Sequence, residues 1–444
     1  MTERSEPGPP ATSGGLSPRA AEEVVELCAE LIRIDTSNPI KPERPAAEYV
    51  AEKLAEVGIE STILESEPGR ASVVARIDGA DPMRPALLVH GHLDVVPAEP
   101  ADWQVHPFAG EIKDGCLWGR GAIDMKDMDA MVLAVVRDWA RTGRRPARDV
   151  VLAFVADEEA GGAKGARYLV DHHPELFEGC TESISEVGGF SVEIAGKRLY
   201  PIQTAQRGMA WLELTATGRA GHGSLPNPTN PVTALAETVA RIGRYDWPIR
   251  LIDSVREFLA EVATTIGRPL DPEALASDTD GLGGLGSVIA AMVRNTANPT
   301  MLEGGYKINV VPQVAKARID GRYLPGYRDE FFATIERLLD PQVTYRVVHE
   351  DIAIENPWDT PLVTAMTDAL HAEDPEGRAV PYCLFGGTDD KSFSRLGIVG
   401  YGFSPLRLTP DLDFAGMFHA VDERVNLDAL RFGVRVLDRF LTSC

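Results

Sequence analysis

Several motifs of this 444-residue chain place a histidine or a carboxylate directly after an apolar run. The run Leu87–Val89 leads into the His-x-Asp motif of His92 and Asp94, and Pro97 then interrupts it. A carboxylate two residues after a histidine can accept the spare imidazole N–H, which fixes the tautomer and makes the ring a better metal ligand. We therefore predict that His92 binds a metal ion and that Asp94 orients the imidazole ring of His92.

Four further motifs offer ligands of the same kind. Taken singly, each has an ordinary explanation, such as a helix N-cap for Asp124 or a solvated loop for the adjacent glutamates after Val155. Adjacent carboxylates at the end of a buried strand cost free energy unless a cation compensates them. Together with His92, these motifs form a nitrogen–oxygen ligand set without cysteine, which suits zinc and also manganese or cobalt. The motifs contain Asp124, Glu158 with Glu159, Glu186, and His419.

The ligand set is large enough for two ions that share one carboxylate. Such ions lie about 3.5–4 Å apart and hold a water whose pKa falls towards 7. A nearby glutamate that binds neither ion can take the proton of this water and pass it to the leaving group. The sequence therefore predicts metal-dependent hydrolysis. Two alternatives stay open, namely a phosphoesterase with the same ligands and a non-catalytic binding protein on the same fold.

The composition limits the partners of the protein. Lys and Arg total 44 against 67 Asp and Glu, which gives a net charge of −23. Such a surface repels nucleic acid and anionic lipid, so we expect neither as a partner. No run approaches the roughly 18 apolar residues of a membrane span. The five cysteines are scattered and form no Cys-x-x-Cys, which favours a reduced compartment, and we expect a cytoplasmic protein.

Strand and helix patterns along the chain indicate how these motifs are positioned. Residues 18–205 and 353–444 alternate between the two patterns and predict an α/β domain with a mostly parallel sheet. Residues 206–352 show the one-sided antiparallel strands and helices of an inserted α+β domain. Residues 1–17 are rich in Pro, Gly and Ser and predict a disordered tail, and Asp271–Gly286 predicts a surface insertion.

Nine short motifs are spread over nearly the whole chain, from about Leu31 to Val436. They are HGHLDVVP, WGRGAIDMKD, ADEEAGG, SEVGG, GRAGHGSLP, NVVP, DGR, GGTDD and FHAVDER. In kind and order they resemble the M20 family of metallopeptidases, which includes aminoacylases, acetylornithine and succinyl-diaminopimelate deacylases, and glutamate carboxypeptidases. The resemblance implies a zinc-peptidase catalytic domain, an inserted lid or dimerisation domain, and a homodimer formed through that lid.

The resemblance also implies a role for each ligand motif. Asp124 would bridge two metal ions, most simply Zn²⁺, with Mn²⁺ or Co²⁺ as substitutes. Glu159 and His419 would complete one metal site. His92 and Glu186 would complete the other.

The resemblance further implies roles for two acidic residues and the conformation of one peptide bond. Glu158 would be the general base, and Asp94 would hold His92 in place. The peptide bond between Asp124 and Met125 would be cis, as it usually is in the family.

Residues of the inserted domain and of one later loop would serve the substrate. His222, in a glycine-rich turn, would enter the neighbouring subunit's active site and polarise the scissile carbonyl. Asn309 and Arg322 would bind the substrate carboxylate, for which a guanidinium is well shaped. Gly387 and Thr388 would line the substrate pocket.

These implications lead to one functional hypothesis. The protein would cleave an amide or peptide bond next to a free carboxylate, in a small peptide or an N-acyl amino acid. Removal of an acetyl or succinyl group from a diamino acid is the alternative. Two departures favour the aminoacylase or dipeptidase branches over the compact carboxypeptidases: the added segment Asp271–Gly286, and a last lid strand whose only arginine is Arg346.

Overall fold

The computed structural model of the protein describes residues 15–267, 269–270, 289–410 and 412–444. The predicted surface insertion and most of the predicted tail lie outside these ranges. The chain divides into two compact units. Unit 1 comprises Met1–Ile202, Asp359–Ala379 and Ser392–Cys444, and unit 2 comprises Gln203–Trp358 and Val380–Lys391.

Helices and strands alternate along most of the described chain. The helices are α1 (Pro18–Arg33), α2 (Arg44–Ala55), α3 (Lys126–Thr142), α4 (Ala166–His172), α5 (Pro231–Gly243), α6 (Asp253–Ile266), α7 (Arg328–Leu338), α8 (Pro361–Glu373), α9 (Asp390–Phe393), α10 (Phe414–Met417) and α11 (Leu427–Ser443). The strands are β1 (Ser61–Glu67), β2 (Arg70–Ile77), β3 (Ala86–His92), β4 (Glu111–Lys113), β5 (Cys116–Trp118), β6 (Val150–Val155), β7 (Cys180–Ser185), β8 (Val192–Ile194), β9 (Lys197–Gln206), β10 (Gly208–Thr217), β11 (Gly221–His222), β12 (Thr296–Gly304), β13 (Val310–Val311), β14 (Val314–Tyr323), β15 (Val343–Asp351), β16 (Ile354–Glu355), β17 (Arg378–Leu384), β18 (Val399–Gly402) and β19 (Arg424–Asn426).

Unit 1 contains a sheet with the strand order β1-β2-β6-β3-β7-β18-β9. The pairs β6–β3, β3–β7 and β7–β18 are parallel, whereas β1–β2 and β2–β6 are antiparallel. The predicted α/β class with a mostly parallel central sheet is therefore confirmed. Strands β3 and β6 are buried throughout, as expected for parallel strands that are covered on both faces.

Helices cover this sheet and bury its apolar side chains. Val74, Leu88, Val155, Leu169 and Phe393 belong to one core cluster of unit 1. Helix α3 packs against α1 and α11. It is buried from its first residue through most of its length, so the segment immediately before it is firmly anchored.

Unit 2 contains an antiparallel sheet with the strand order β12-β14-β10-β15. Along β14, buried residues alternate with more exposed ones, which is the one-sided pattern predicted from the sequence. The buried side chains Ala317 and Ile319 join a core with Leu235 of α5 and Phe331 of α7. Among the described residues of both units, no helix combines the length and the apolar character needed to cross a membrane.

The sequence patterns predict neither the strands β9 and β12 nor six short strands of two or three residues each, namely β4, β5, β8, β11, β16 and β19. Strand β9 is buried along nearly all of its length and β12 is exposed along nearly all of its length, so neither alternates between the two. The unit boundary also differs from the predicted 206–352. Residues 380–391 join unit 2 because Thr388 hydrogen-bonds the side chain of Gln206 and Lys391 donates to the backbone oxygen of Arg207.

Candidate metal centre

Three of the five predicted ligands follow neighbouring parallel strands of unit 1. His92 ends β3, Glu159 lies in a 3₁₀ turn after β6, and Glu186 directly follows β7. Since the sheet order is β6-β3-β7, these three residues lie at one edge of the sheet, where α/β proteins commonly bind ligands. His90, one pleat earlier in β3, instead packs its ring against Phe393, with 4.7 Å between ring centroids.

Asp124 lies between two groups of ligands. The first trio consists of His92, Asp124 and Glu186, and Nε2 of His92 lies 3.1 Å from Oδ1 of Asp124 and 3.6 Å from Oε2 of Glu186. The second trio consists of Asp124, Glu159 and His419. In it, Nε2 of His419 lies 3.2 Å from Oδ2 of Asp124 and 3.1 Å from Oε2 of Glu159. The two oxygens of Asp124 therefore face different trios, as a bridging ligand requires.

The electrostatics of the two trios favour a cation. Burial, reinforced by the charge of Asp124, raises the pKa of Glu159 to about 7, and burial also raises the pKa of Glu186. Hydrogen bonds to Asp124 and Glu159 raise the pKa of His419 to about 10. Burial acts to lower the pKa of His92, but Glu186 and Asp124 outweigh it and raise that pKa. All four groups thus bind protons tightly, which is typical of a site with excess negative charge.

The environment of one carboxylate oxygen indicates whether the residues of the two trios suit metal ions. Oε1 of Glu159 is buried and has no hydrogen-bond partner within the described part of the chain. A buried carboxylate oxygen without a partner calls for an explanation, and a bound cation supplies one. Imidazole nitrogens and carboxylate oxygens are also a donor set that zinc, manganese and cobalt accept. The two trios therefore fit a pair of divalent ions.

Asp94 is fully buried and contacts both His92 and the turn after β6. Nδ1 of His92 donates to the backbone oxygen of Asp94 at 2.9 Å, which leaves Nε2 free for a ligand. The carboxylate lies 3.8 Å from Nδ1 and instead accepts the backbone N–H groups of Glu158 and Glu159, each at 3.1 Å. Asp94 thus orients His92 through its main chain, and not through the predicted carboxylate contact.

Asn38 is a site residue that the sequence analysis missed. Its Nδ2 donates to Oδ2 of Asp94 at 2.9 Å and to Oδ1 of Asp157 at 3.1 Å. Asp157 immediately precedes Glu158 and has a φ of 67°, a left-handed backbone conformation that is uncommon for residues other than glycine. Asn38 precedes Pro39 in a turn that the sequence indicates. No local sequence pattern, however, indicates that Asn38 contacts Asp94 and Asp157.

The predicted substrate residues all lie in unit 2. His222 is exposed, and its Nδ1 lies 2.8 Å from Oγ of Ser224. It pairs with Val310 in a short antiparallel ladder, and the N–H of Gly223 donates to the backbone oxygen of Asn309 at 2.9 Å. The structure therefore brings His222 and Asn309 close together within unit 2.

Arg322 and the glycine loop have their own partners in unit 2. The guanidinium of Arg322 forms two hydrogen bonds with Asp320, at 2.7 and 3.1 Å. The side chain of Gln206 accepts from the N–H of Thr388 at 2.9 Å and donates to its hydroxyl at 2.8 Å, which fixes the loop that contains Gly387. The substrate roles of all five residues stay predictions.

Comparison with known proteins identifies the family. Residues 88–443 match the profile of the peptidase family M20/M25/M40. The chain belongs to this family. It is a hydrolase that acts on C–N bonds, as predicted, and the two trios are a candidate site for two metal ions. The Asp124–Met125 peptide bond is cis, as the resemblance implied.

Individual relatives cover nearly the whole chain. The N-fatty-acyl-amino acid synthase/hydrolase PM20D1 of Xenopus tropicalis is 26% identical over 452 aligned positions, which span 95% of this chain and 85% of that protein. Human (Homo sapiens) aminoacylase-1 is 28% identical and covers 94% of both chains. The M20 family metallo-carboxypeptidase Sso-CP2 of Sulfolobus solfataricus shares the fold, with a TM-score of 0.73, 18% identity, and 95% and 99% of the two chains covered.

Proposed function

We propose that this protein is an amidohydrolase of N-acyl amino acids that uses two zinc ions. The observation that carries the proposal is the division of the two Asp124 oxygens between the trios, with the backbone of Glu158 held beside them by Asp94. The choice of N-acyl amino acids is supported by the relatives named above, two of which are an aminoacylase and an N-fatty-acyl-amino acid synthase/hydrolase.

The chemistry follows from the residues of unit 1. Each trio would hold one ion, and such a pair of ions would supply polarisation of the scissile carbonyl and a lowered pKa for the attacking water. Glu158 takes the proton of that water and delivers it to the nitrogen that leaves. Asp94 holds the main chain of Glu158 through a 3.1 Å hydrogen bond, so the base stays in place during the proton transfer.

We assign the substrate contacts to residues of unit 2. His222 donates to the scissile carbonyl, and Arg322 with Asn309 binds the free carboxylate.

We further propose a homodimer formed through unit 2 and a cytoplasmic location. In the dimer, the partner's His222 would serve the active site, as the family resemblance implies. The cytoplasmic location is supported by the cysteines, since all five are buried and none forms a disulfide, a state that suits a reducing compartment.

A substrate panel tests the proposed activity. Metal-depleted protein is reloaded with zinc, manganese or cobalt and assayed on N-acyl amino acids of increasing acyl length, on dipeptides, on acetylated and succinylated diamino acids, and on a phosphodiester. We expect metal-dependent hydrolysis of the N-acyl amino acids. Turnover confined to dipeptides or to diamino acids would replace the proposed substrate class. Activity on the phosphodiester alone would overturn the amidohydrolase proposal.

A further inference from the structure

A buried ion pair joins the two loops that carry Asp124 and His419. Arg120 is 3% exposed and Glu423 is fully buried. Nη1 of Arg120 donates to Oε2 of Glu423 at 2.6 Å. Neither side chain belongs to a trio, so the pair is outside the set of metal ligands described above.

Each member of the pair also holds the backbone of the opposite loop, directly beside a ligand. Oε1 of Glu423 accepts the N–H of Ile123 at 2.8 Å, one residue before Asp124. Nη2 of Arg120 donates to the backbone oxygen of Ala420 at 2.9 Å, one residue after His419. The arrangement is reciprocal, because Arg120 comes from the Asp124 loop and Glu423 from the His419 loop. Moving either side chain would therefore change the spacing between these two ligands.

Two features of the His419 loop make such a restraint useful there. His419 and Asp422 both have a positive φ, 60° and 59°, a conformation that costs free energy for residues other than glycine. The side chain of His419 is 57% exposed, so packing holds it weakly. His92, by contrast, is 1% exposed and ends a strand that pairs with strands on both sides.

We propose that the Arg120–Glu423 pair is a clamp that sets the metal affinity of the second trio selectively. Both are positioning residues, since they act through Ile123 and Ala420 and not by touching an ion. The ligands of the first trio other than Asp124 are placed by β3 and β7, so we expect that trio to be much less sensitive to the clamp. The inference rests on the proposed two-ion site.

The test measures bound zinc without any enzyme assay. Wild-type protein, Glu423→Gln and Arg120→Lys are dialysed against zinc buffers of graded free concentration, and bound zinc per chain is determined by elemental analysis. Glutamine keeps an oxygen for the N–H of Ile123 but loses the charge that pairs with Arg120. Lysine keeps the charge but cannot donate to Glu423 and Ala420 in the same planar geometry.

We expect the wild type to bind two zinc ions and both variants to bind one of them about 10–100-fold more weakly, as for other residues that orient metal ligands. The affinity for the other ion should stay within about twofold of wild type. Asp374→Asn is the matched control, since it breaks another largely buried ion pair of unit 1, with Arg198, outside both ligand loops. It should bind two ions as tightly as the wild type does.

Double variants identify which ion is weakened. Glu423→Gln combined with His419→Ala should lose no more zinc than His419→Ala alone, whereas Glu423→Gln combined with His92→Ala should weaken both ions. The clamp would be overturned if Glu423→Gln and Arg120→Lys weakened the binding of both ions equally. It would also be overturned if both variants bound two ions with wild-type affinity. A wild type that binds fewer than two zinc ions would instead overturn the two-ion site itself. Arg120→Lys keeps the test decisive if Glu423→Gln does not fold.

Discussion

Two adjacent glutamates at this site differ in their contacts with the predicted ligands. Oε2 of Glu159 lies 3.1 Å from Nε2 of His419 and belongs to the second trio. Glu158 belongs to neither trio, although its charge contributes to the raised pKa of His92. A carboxylate that is close to a metal site but not within its ligand set is the arrangement that a general base requires.

Paired substitutions separate these two roles. We expect Glu158→Gln to retain both metal ions and to lower kcat by about 10²–10⁴-fold, because proton transfer is lost while the ligands are intact. The matched variant Glu159→Gln should lose the ion of the second trio. Steady-state kinetics and elemental analysis on the same samples measure both effects. Near-normal turnover of Glu158→Gln would rule out its role as the base.

The sequence alone indicates the ligands but not every contact between them. All five predicted ligands fall into the two trios, because each ends an apolar strand pattern or occupies a motif of the family. The contact of Asp94 with His92 was predicted for the wrong atom, since a sequence cannot distinguish a backbone oxygen from a carboxylate at hydrogen-bond distance. Arg120 and Glu423 lie inside two of the nine motifs, and Asn38 lies in a turn before Pro39. The residues that each of them contacts are far away in the chain, so the sequence does not indicate these contacts.

Strands and helices were predictable where burial produced a regular pattern. The unbroken apolar runs of β3 and β6 and the alternation of β14 indicate those strands directly. Strand β9 gives neither signal, because its buried positions do not alternate and include the polar residues Gln203, Thr204 and Gln206. Its neighbours in the structure explain its burial, since β8, β16 and β17 all pair with it, and such pairings cannot be read from local periodicity.

One ion pair joins the end of helix α8 to strand β9 and gives unit 1 a pH-dependent contact. Arg198 forms two hydrogen bonds with Asp374, at 2.6 and 2.7 Å, and the hydroxyl of Tyr200 donates to the same carboxylate at 2.8 Å. The hydrogen bond from Arg198, with a smaller one from Tyr200, holds the pKa of Asp374 at about 2, below the ordinary 3.8. The ionised carboxylate therefore stabilises the folded state.

Asp374→Asn should lower the free energy of unfolding at neutral pH by on the order of 1–2 kcal/mol. Because the pKa of Asp374 is depressed in the folded state, its contribution is complete above about pH 5 and is lost as the pH falls from there through 2. The stability difference between wild type and variant should shrink over that range. Denaturant unfolding of both proteins at pH 7 and at pH 3 measures it. A difference that does not depend on pH would show that the carboxylate contributes no charge-dependent stability.

At the scale of the whole chain, tertiary structure assembles a site from motifs that are far apart in sequence. The strand order β6-β3-β7 makes neighbours of Glu159, His92 and Glu186, and the loop between α10 and β19 adds His419 from the C-terminal part. Periodicity predicts the strands but not their order, so the division into two trios came from the family resemblance and not from the patterns. The residues of unit 2 that are predicted to contact the substrate extend this dependence to a second subunit, because the family resemblance implies that His222 enters the site of a partner subunit.

Complementation between two inactive variants tests this arrangement. Glu158→Gln lacks the general base but keeps His222, and His222→Ala keeps the base but should lose about 10²–10³-fold in kcat, as expected for a lost donor to the carbonyl oxygen. If the partner's His222 serves each site, one of the two sites of a mixed dimer has both Glu158 and His222. Two copies of the same variant have no such site.

Co-expression of the two variants in equal amounts should therefore recover up to about a quarter of wild-type activity, since random pairing makes half of the dimers mixed and each mixed dimer carries one intact site. Solution mass on the same samples establishes that dimers are present. A control co-expression of His222→Ala with the double variant Glu158→Gln/His222→Ala should recover nothing, because no copy supplies the histidine. Dimers without recovered activity in the first mixture would place His222 in the site of its own chain or outside catalysis altogether.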